Sequence, residues 1–541
     1  MDHARMIFAA VALAACGGSG AGVDAGPGVL GDSGVEPPAP SCAAAPGGGS
    51  ATLGALELTA TLYDRWHEAW LASPAVADLD EDGTPEIVVP RHGLVLVWHL
   101  DGTEIWRADV GGRVWASPVV ADLDPGRPGL EVAVASRGQI HVFDRAGASL
   151  PGFPFSWQDE LRALAAADID GDGALELVAV STSPLSGNGQ RDIVIAVELD
   201  GSAVTGFPAN TTGVSGCDDN CFVTGGYDQT LALGDLDGDR IADILAPQDN
   251  AYISVHDGTG RAFDAADIFQ DRTKVMGIRM LHEYALAQQG WAPDEQAANQ
   301  AHFTNTAPAI ADIDGDGVAE MILLASVQNA AQNDRERGVA VWVLERDGTR
   351  TAGWEEPLLF GDYLAGLWDF DGTNVVAATN QISVATLDPN RPAPQLVFAG
   401  FDGRIHAVDA AAGIMWAHTY TSDPRVLTGG VAIADLTGDG VPEVVFTTYS
   451  PDQNKGALVV LAANGTLLDT IPLPGRGAMP VPTIADADAD GQLEILVSLK
   501  DGDDRVQQVL VYTVPGSSPN CLPWPTGRGN LRRDAYLPPA R

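Results

Sequence analysis

The sequence predicts an all-β protein: a β-propeller, most simply of eight four-stranded blades, with seven as the alternative. Two observations carry this. A unit of apolar strand, acidic loop and second strand recurs eight times along the chain. Its basal period of about 45 residues suits four short strands plus their turns, which is one blade. A third observation agrees: 62 Gly and 35 Pro in 541 residues is a turn-rich composition.

The first copy reads Ser73-Pro-Ala-Val-Ala-Asp78-Leu-Asp80-Glu-Asp82-Gly83-Thr-Pro-Glu86-Ile-Val-Val. Others begin at Asp168, Asp235, Asp312, Asp435 and Asp486, and two decayed copies begin at Asp122 and Thr386. Start-to-start spacings are 44, 46, 67, 77, 74, 49 and 51 residues. A third strand precedes an Asp-Gly turn, as in Val95–Leu100 before Asp101-Gly102, where the turn needs positive φ angles. A fourth often carries a Trp, such as Trp106 or Trp416, expected to pack between blades. The excess over the period falls within Ser183–Gln190, Thr211–Tyr227, Arg261–Thr304 and Leu358–Thr373. The largest insert, 261–304, is expected to be partly helical over Arg279–Gln289, and as a loop on a rigid scaffold it is a candidate binding element.

Within the first copy Asp78, Asp80 and Asp82 hold loop positions one, three and five, and Glu86 position nine. Alternate residues of a tight loop turn their carboxylates to one centre, and the Thr84 carbonyl can complete the shell. Hard oxygen donors in this number suit calcium. The same roles fall on Asp168, Asp170, Asp172 and Glu176, on Asp235, Asp237, Asp239 and Asp243, and on Asp312, Asp314, Asp316 and Glu320. They recur on Asp486, Asp488, Asp490 and Glu494. In the copy with Asp435, Asp439 and Glu443, Thr437 replaces the second acid, which predicts a weaker site. Five or six calcium ions are expected, with the copies at Asp122 and Thr386 empty or nearly so.

The Asp-x-Asp-x-Asp-Gly-x-x-Glu loop between two strands resembles the FG-GAP/VCBS repeats of integrin-type propellers, over most of Ser73–Val514. That resemblance implies the propeller fold and calcium. The segment Gly403-Arg-Ile-His-Ala-Val-Asp409 through Trp416 is similar to quinoprotein-like blades, without a quinone-binding constellation.

The ends read differently. Residues 1–16 resemble a bacterial lipoprotein signal: Met6 to Ala15 is apolar but too short to span a bilayer, and Leu13-Ala14-Ala15-Cys16 places small residues before a lipidated Cys16. Residues 17–50 are a Gly/Ala/Pro-rich tether, and 51–541 form the propeller. This implies an exported lipoprotein of the outer membrane or cell surface, held to the membrane by lipid alone. The alternating segment Leu56–Leu62 has no blade of its own, and the last copy lacks a fourth strand, so the first is expected to close the last. Cys42 and Cys521 flank these ends and are expected to form a disulfide; Cys217 and Cys221 share one insert and are expected to pair with each other.

With 73 acidic against 30 basic residues the net charge is −43, which argues against nucleic acid and anionic lipid surfaces as partners. No catalytic constellation stands out: Gly18-Ser19-Gly20 lies in the tether, and His282-Glu283 lacks the second His of a zinc protease. The expected role is a non-enzymatic, calcium-stabilised binding or adhesion protein recognising a protein or glycan. The alternatives are a polysaccharide lyase, since rhamnogalacturonan lyases resemble this architecture, and a quinoprotein-like dehydrogenase.

Overall fold

The computed structural model describes residues 42–539 except 47, 51, 65–66, 183–192, 210–224, 227, 250, 271–274, 276–277, 290–296, 298, 304–305, 329–336, 368–379, 392 and 502–507. Cys16, Cys217 and Cys221 lie outside the described residues. Eight antiparallel sheets follow one another along the chain. Blade 1 is the meander Ala75–Ala77, Glu86–Arg91, Leu94–Trp98, Glu104–Asp109. Blades 2, 6 and 7 repeat it, beginning at Val119–Ala121, Ser383–Ala385 and Ala432–Ala434. Blades 3 and 4 each have three regular strands, beginning at Leu161–Ala167 and Ala232–Gly234. Ala203 and Ala262 bridge to their outer edges, where Val204, Ala209 and Phe263 also donate backbone N–H groups. Blade 5 begins at Ala309–Ala311. Each copy read from the sequence is thus one blade, including the two decayed ones.

Blade 8 holds Thr483–Ala485, Leu493–Ser498 and Val509–Val514, and its outer strand is Glu57–Leu62. Glu57 lies opposite Thr513 and Leu62 opposite Val509. The N-terminal strand therefore closes the last blade, as its orphan alternation predicts. Successive first strands adjoin one another, and that of blade 8 adjoins that of blade 1, so the ring is complete.

The core lies between blades. Val178 and Val180 of blade 3 pack in one cluster with Ile244 and Ala246 of blade 4, and Val88 of blade 1 packs with Val132 and Val134 of blade 2. Tryptophans lock neighbouring blades together. Trp106 Nε1 donates to the Arg145 carbonyl at 3.0 Å, and Trp416 Nε1 to that of Ala463 at 2.8 Å. Each indole lies against a turn glycine of the next blade: a Cβ on Gly147 or Gly465 would approach the ring to 2.7 or 2.6 Å. Both glycines have φ near +80°, so turn geometry and close packing select the same residue.

The C-terminal segment after Val514 adds a component that the repeat does not announce. It runs around the inner strands of the ring. Trp524 and Pro525 accept hydrogen bonds from Ile433 of blade 7 and Ile484 of blade 8. Leu531, Arg532, Asp534 and Ala535 accept from Val120, Ala166, Leu233 and Ile310 of blades 2 to 5. Tyr536–Leu537 then pairs in parallel with Ala309–Ala311. Arg533 is buried and donates to the carbonyls of Pro74, Pro118 and Gly527 and to Thr526 Oγ1. Arg528 donates to the carbonyls of Leu231 and Pro308.

In the insert at 261–304 the described helical residues are the 3-10 turn Asp267–Phe269 and the α-helical turn Tyr284–Ala287, while Leu281 bridges Gln300 in extended form. Phe269, Val275, Ile278, Met280 and Leu281 are buried in the same cluster as Trp342 and Val341 of blade 5, and Trp342 Nε1 donates to the Leu281 carbonyl at 3.1 Å. The described part of the insert is therefore a packing layer. Its apolar residues serve the core rather than a helix face.

Candidate metal centres

Every acidic loop joins the first strand of a blade to the second, which places all of them at one end of the ring. The first aspartate shapes the loop by accepting backbone N–H groups with both oxygens. Asp312 Oδ1 accepts from Gly315 at 2.7 Å and Oδ2 from Gly317 at 3.1 Å. Asp78, Asp168, Asp235, Asp435 and Asp486 do the same. The loop thereby curls, and in five blades the carboxylates at positions one and three converge with at least one more acid of the set.

The four predicted acids Asp312, Asp314, Asp316 and Glu320 of blade 5 each offer one oxygen within 4.8 Å of all the others. Three acids converge equally closely in four more blades: Asp78, Asp80 and Asp82; Asp168, Asp170 and Glu176; Asp235, Asp237 and Asp239; and Asp486, Asp488 and Glu494. Glu86, Asp172, Asp243 and Asp490 stand outside these groups. Thr84 donates its N–H to Asp82 Oδ1 at 2.8 Å. Arg346 of blade 5 reaches Asp237 Oδ2 at 3.0 Å, so one centre has a cation beside it from a neighbouring blade.

Position nine has a second task that sequence reading missed. Its carboxylate accepts the N–H of loop position two: Glu86 from Leu79 at 2.6 Å, Glu176 from Ile169, Asp243 from Leu236, Glu320 from Ile313, Glu443 from Leu436 and Glu494 from Ala487. The two decayed loops keep this bond. Glu131 accepts from Leu123 and Asp124, and Gln395 from Leu387 and Asp388. The recurrence of an acid or amide there serves the loop fold as well as any ion. The signal was readable, since Glu131 and Gln395 keep a carboxylate or amide there where the loop has lost the acid at position five. In those same loops Arg127 and Arg391 pair with Asp124 and Asp388, supplying a cation from the chain itself.

The Asp435 loop is different again. Asp435 and Thr437 are buried. The segment after Cys42 lies over the loop: Ala45 N–H donates to the Gly438 carbonyl at 2.8 Å, and Ser50 N–H to that of Thr437 at 3.0 Å. Asn520 Nδ2 donates to Asp435 Oδ2 at 2.8 Å, and Thr437 donates its N–H and hydroxyl to Asp435 Oδ1. The Cys42–Cys521 disulfide, predicted from the closure of the ring, pins this strap in place. Asp435, Asp439 and Glu443 do not converge as the other sets do.

Electrostatics favour a cation where acids converge. Burial, reinforced by neighbouring aspartates, pushes Glu86 and Glu494 up to about 7 and Glu176, Asp243, Glu320 and Glu443 up to about 8. Glu131, outside any converging set, is raised too by burial and by Asp122 and Asp124, so the shift alone does not mark a metal site. The all-oxygen donor sets could hold a hard divalent ion, whose charge would return the carboxyls to the ionised form.

Residues 435–497 match the FG-GAP-like repeat family. No curated protein matches the chain. Among solved structures, the V. cholerae biofilm matrix protein Bap1 is 14% identical, with 90% of this chain and 96% of that one covered and a TM-score of 0.51. BamB from Moraxella catarrhalis is 11% identical, covering 85% and 100%, with a TM-score of 0.43. The Bacillus licheniformis rhamnogalacturonan lyase is 15% identical, covering 87% and 76%, with a TM-score of 0.34. The likeness to Bap1 is one of fold. The protein is an eight-bladed β-propeller carrying an FG-GAP-like repeat. Among the described residues no helix is long and apolar enough to cross a membrane.

Proposed function

We propose that this propeller is an exported, calcium-stabilised binding protein of the bacterial surface or periplasm-facing side, tethered through a lipid on Cys16, that recognises a protein or glycan. The observation that carries it is the convergence of acids at five equivalent blade corners, within 4.8 Å in each. Calcium is the ion because the donors are carboxylates in flexible loops, whereas magnesium keeps more of its waters. The ions stiffen the corners between first and second strands; loops at the other end are free to carry recognition. The export reading is supported by the disulfide.

Metal analysis of the folded chain should find about five calcium ions. Asp314→Ala should remove one and leave the rest. A site saturated a hundredfold above its Kd adds about 2.7 kcal/mol, so a chelator should lower the melting temperature markedly. Less than one calcium per chain, with a melting curve indifferent to chelator, would sink the calcium reading. Cys16→Ser should move the chain from the membrane to the soluble fraction; retention in the membrane would reject the lipid anchor.

A further inference from the structure

Opposite the acidic loops, the connections between second and third strands and between successive blades form the other end of the ring. There, between blades 1, 2 and 3, His92, Arg113, Arg137, Gly138 and the stretch Trp157 to Glu160 line an open cleft of about 520 Å³. Two features of it run against the rest of the molecule. In a chain of net charge −43, neither the Arg113 nor the Arg137 side chain forms a salt bridge or a hydrogen bond among the described residues, and Arg113 feels Glu160 and Glu68 only through space. The acids beside them are already committed: Glu160 accepts from Trp115 Nε1 at 2.8 Å and pairs with Arg162 at 2.9 Å, and Asp159 caps the Glu160 N–H.

The Arg113 guanidinium is also held in place. Arg113 lies 3.8 Å from the centroid of Trp70 and 5.0 Å from that of Trp115, and these two rings pack against each other at 4.8 Å. Its Nε is buried without a partner. Trp70 is fixed in turn by Lys500, whose ammonium sits 3.1 Å from the ring centroid and pairs with Glu68. The Arg137 stem crosses bare backbone at Gly112, where a Cβ would come 2.4 Å from Cγ. A stacked guanidinium with unused donors is preorganised for a carboxylate, which it can bind in a bidentate fork. Beside it, Trp157 presents a half-buried indole whose Nε1 also lacks a partner. An aromatic face next to a guanidinium suits a ring with an apolar C–H face and hydroxyl edges.

We propose that this cleft binds the carboxylate of an acidic glycan, with Arg113 and Arg137 as its anion receptors and Trp157 as the platform for the sugar ring. The inference rests on the binding-protein reading and names its ligand class. The neighbouring Asp159 and Glu160 fence the two arginines, so the cleft takes isolated, spaced carboxylates rather than a dense polyanion. An acidic peptide offers the charge but not the hydroxylated ring.

The test uses the full chain carrying Cys16→Ser, loaded with calcium, titrated calorimetrically with oligogalacturonate and oligomannuronate. A neutral oligosaccharide and oligoglutamate serve as controls. Uronate binding is expected to weaken as salt rises from low to high. Arg113→Ala and Arg137→Ala should each weaken it by about tenfold or more. Arg113→Lys should also lose affinity because a point charge cannot replace the fork. Gly112→Ala, which leaves both charges but displaces Arg137, should do likewise. Failure of uronates to bind a folded, calcium-loaded chain overturns the inference, as does binding indifferent to both arginine variants or equal binding of oligoglutamate. Calcium content of the same sample reports on the broader reading separately.

Discussion

Glu131 isolates what one loop residue contributes without calcium. Its blade has no converging acid set, yet its carboxylate accepts two backbone N–H groups at 3.0 Å. Blade 6 performs the same task with the amide oxygen of Gln395. Glu131→Gln should therefore be tolerated, whereas Glu131→Ala should cost about 1–3 kcal/mol by orphaning buried donors. Urea denaturation of the two variants checks this; equal losses would show that charge, not hydrogen bonding, is what the loop needs. Lys500 gives a pH dependence. Burial first, with Arg476 and Arg113 nearby, pulls its ammonium from 10.5 down to about 7 despite Glu68. Between those values the unfolded chain holds a proton that the folded one lacks, so this residue makes stability rise with pH across that window. Lys500→Met should flatten that rise in melts taken from pH 7 to 10. An unchanged slope would mean that the lysine keeps its proton through its contacts with Glu68, the Ala69 carbonyl and Trp70.

Strands were legible because their pattern is local: an apolar run, a loop with fixed acid spacing and a second run identify a blade even where the acids have decayed. The segment from Trp524 to Leu537 was not, because its partners are spread over the ring. Its hydrogen bonds go one by one to inner strands of different blades, which no period along the chain can express. A hint was present in Arg528, Arg532 and Arg533, a basic cluster in an acidic chain. Arg533→Met should cost about 3–5 kcal/mol, since it strands the Pro118 carbonyl and removes four buried hydrogen bonds. The loss would appear as a lower denaturation midpoint with calcium content preserved. A wild-type midpoint would mean that the segment lines the ring without supporting it.

Ring closure joins the two ends of the chain. The strand Glu57–Leu62 completes blade 8, and the Cys42–Cys521 disulfide, with Cα atoms 4.9 Å apart, ties a separation of 479 residues. Entropy restriction in the unfolded chain by so long a loop is worth about 3–5 kcal/mol. The double variant Cys42→Ala, Cys521→Ala should melt earlier by a corresponding amount. It should also release the strap over the Asp435 loop, so that Ala45 and Ser50 amides exchange faster with solvent deuterium. Unchanged exchange would show that the backbone bonds to Gly438 and Thr437 hold the strap without the disulfide.

The blade count, the closing strand and the position of each acidic loop were determined by the sequence itself, because each follows from residues within one repeat or from an element left without a partner. Tertiary structure alone decided which acids converge, that position nine caps its loop, and that the Asp435 loop lies beneath a strap. It also decided that the described part of the long insert packs against blade 5 and that Arg113 and Arg137 stand without a salt bridge among the described residues, beside an aromatic cleft. These outcomes depend on distances between residues far apart in the chain, and a charge's partners exist only once the ring has brought them together.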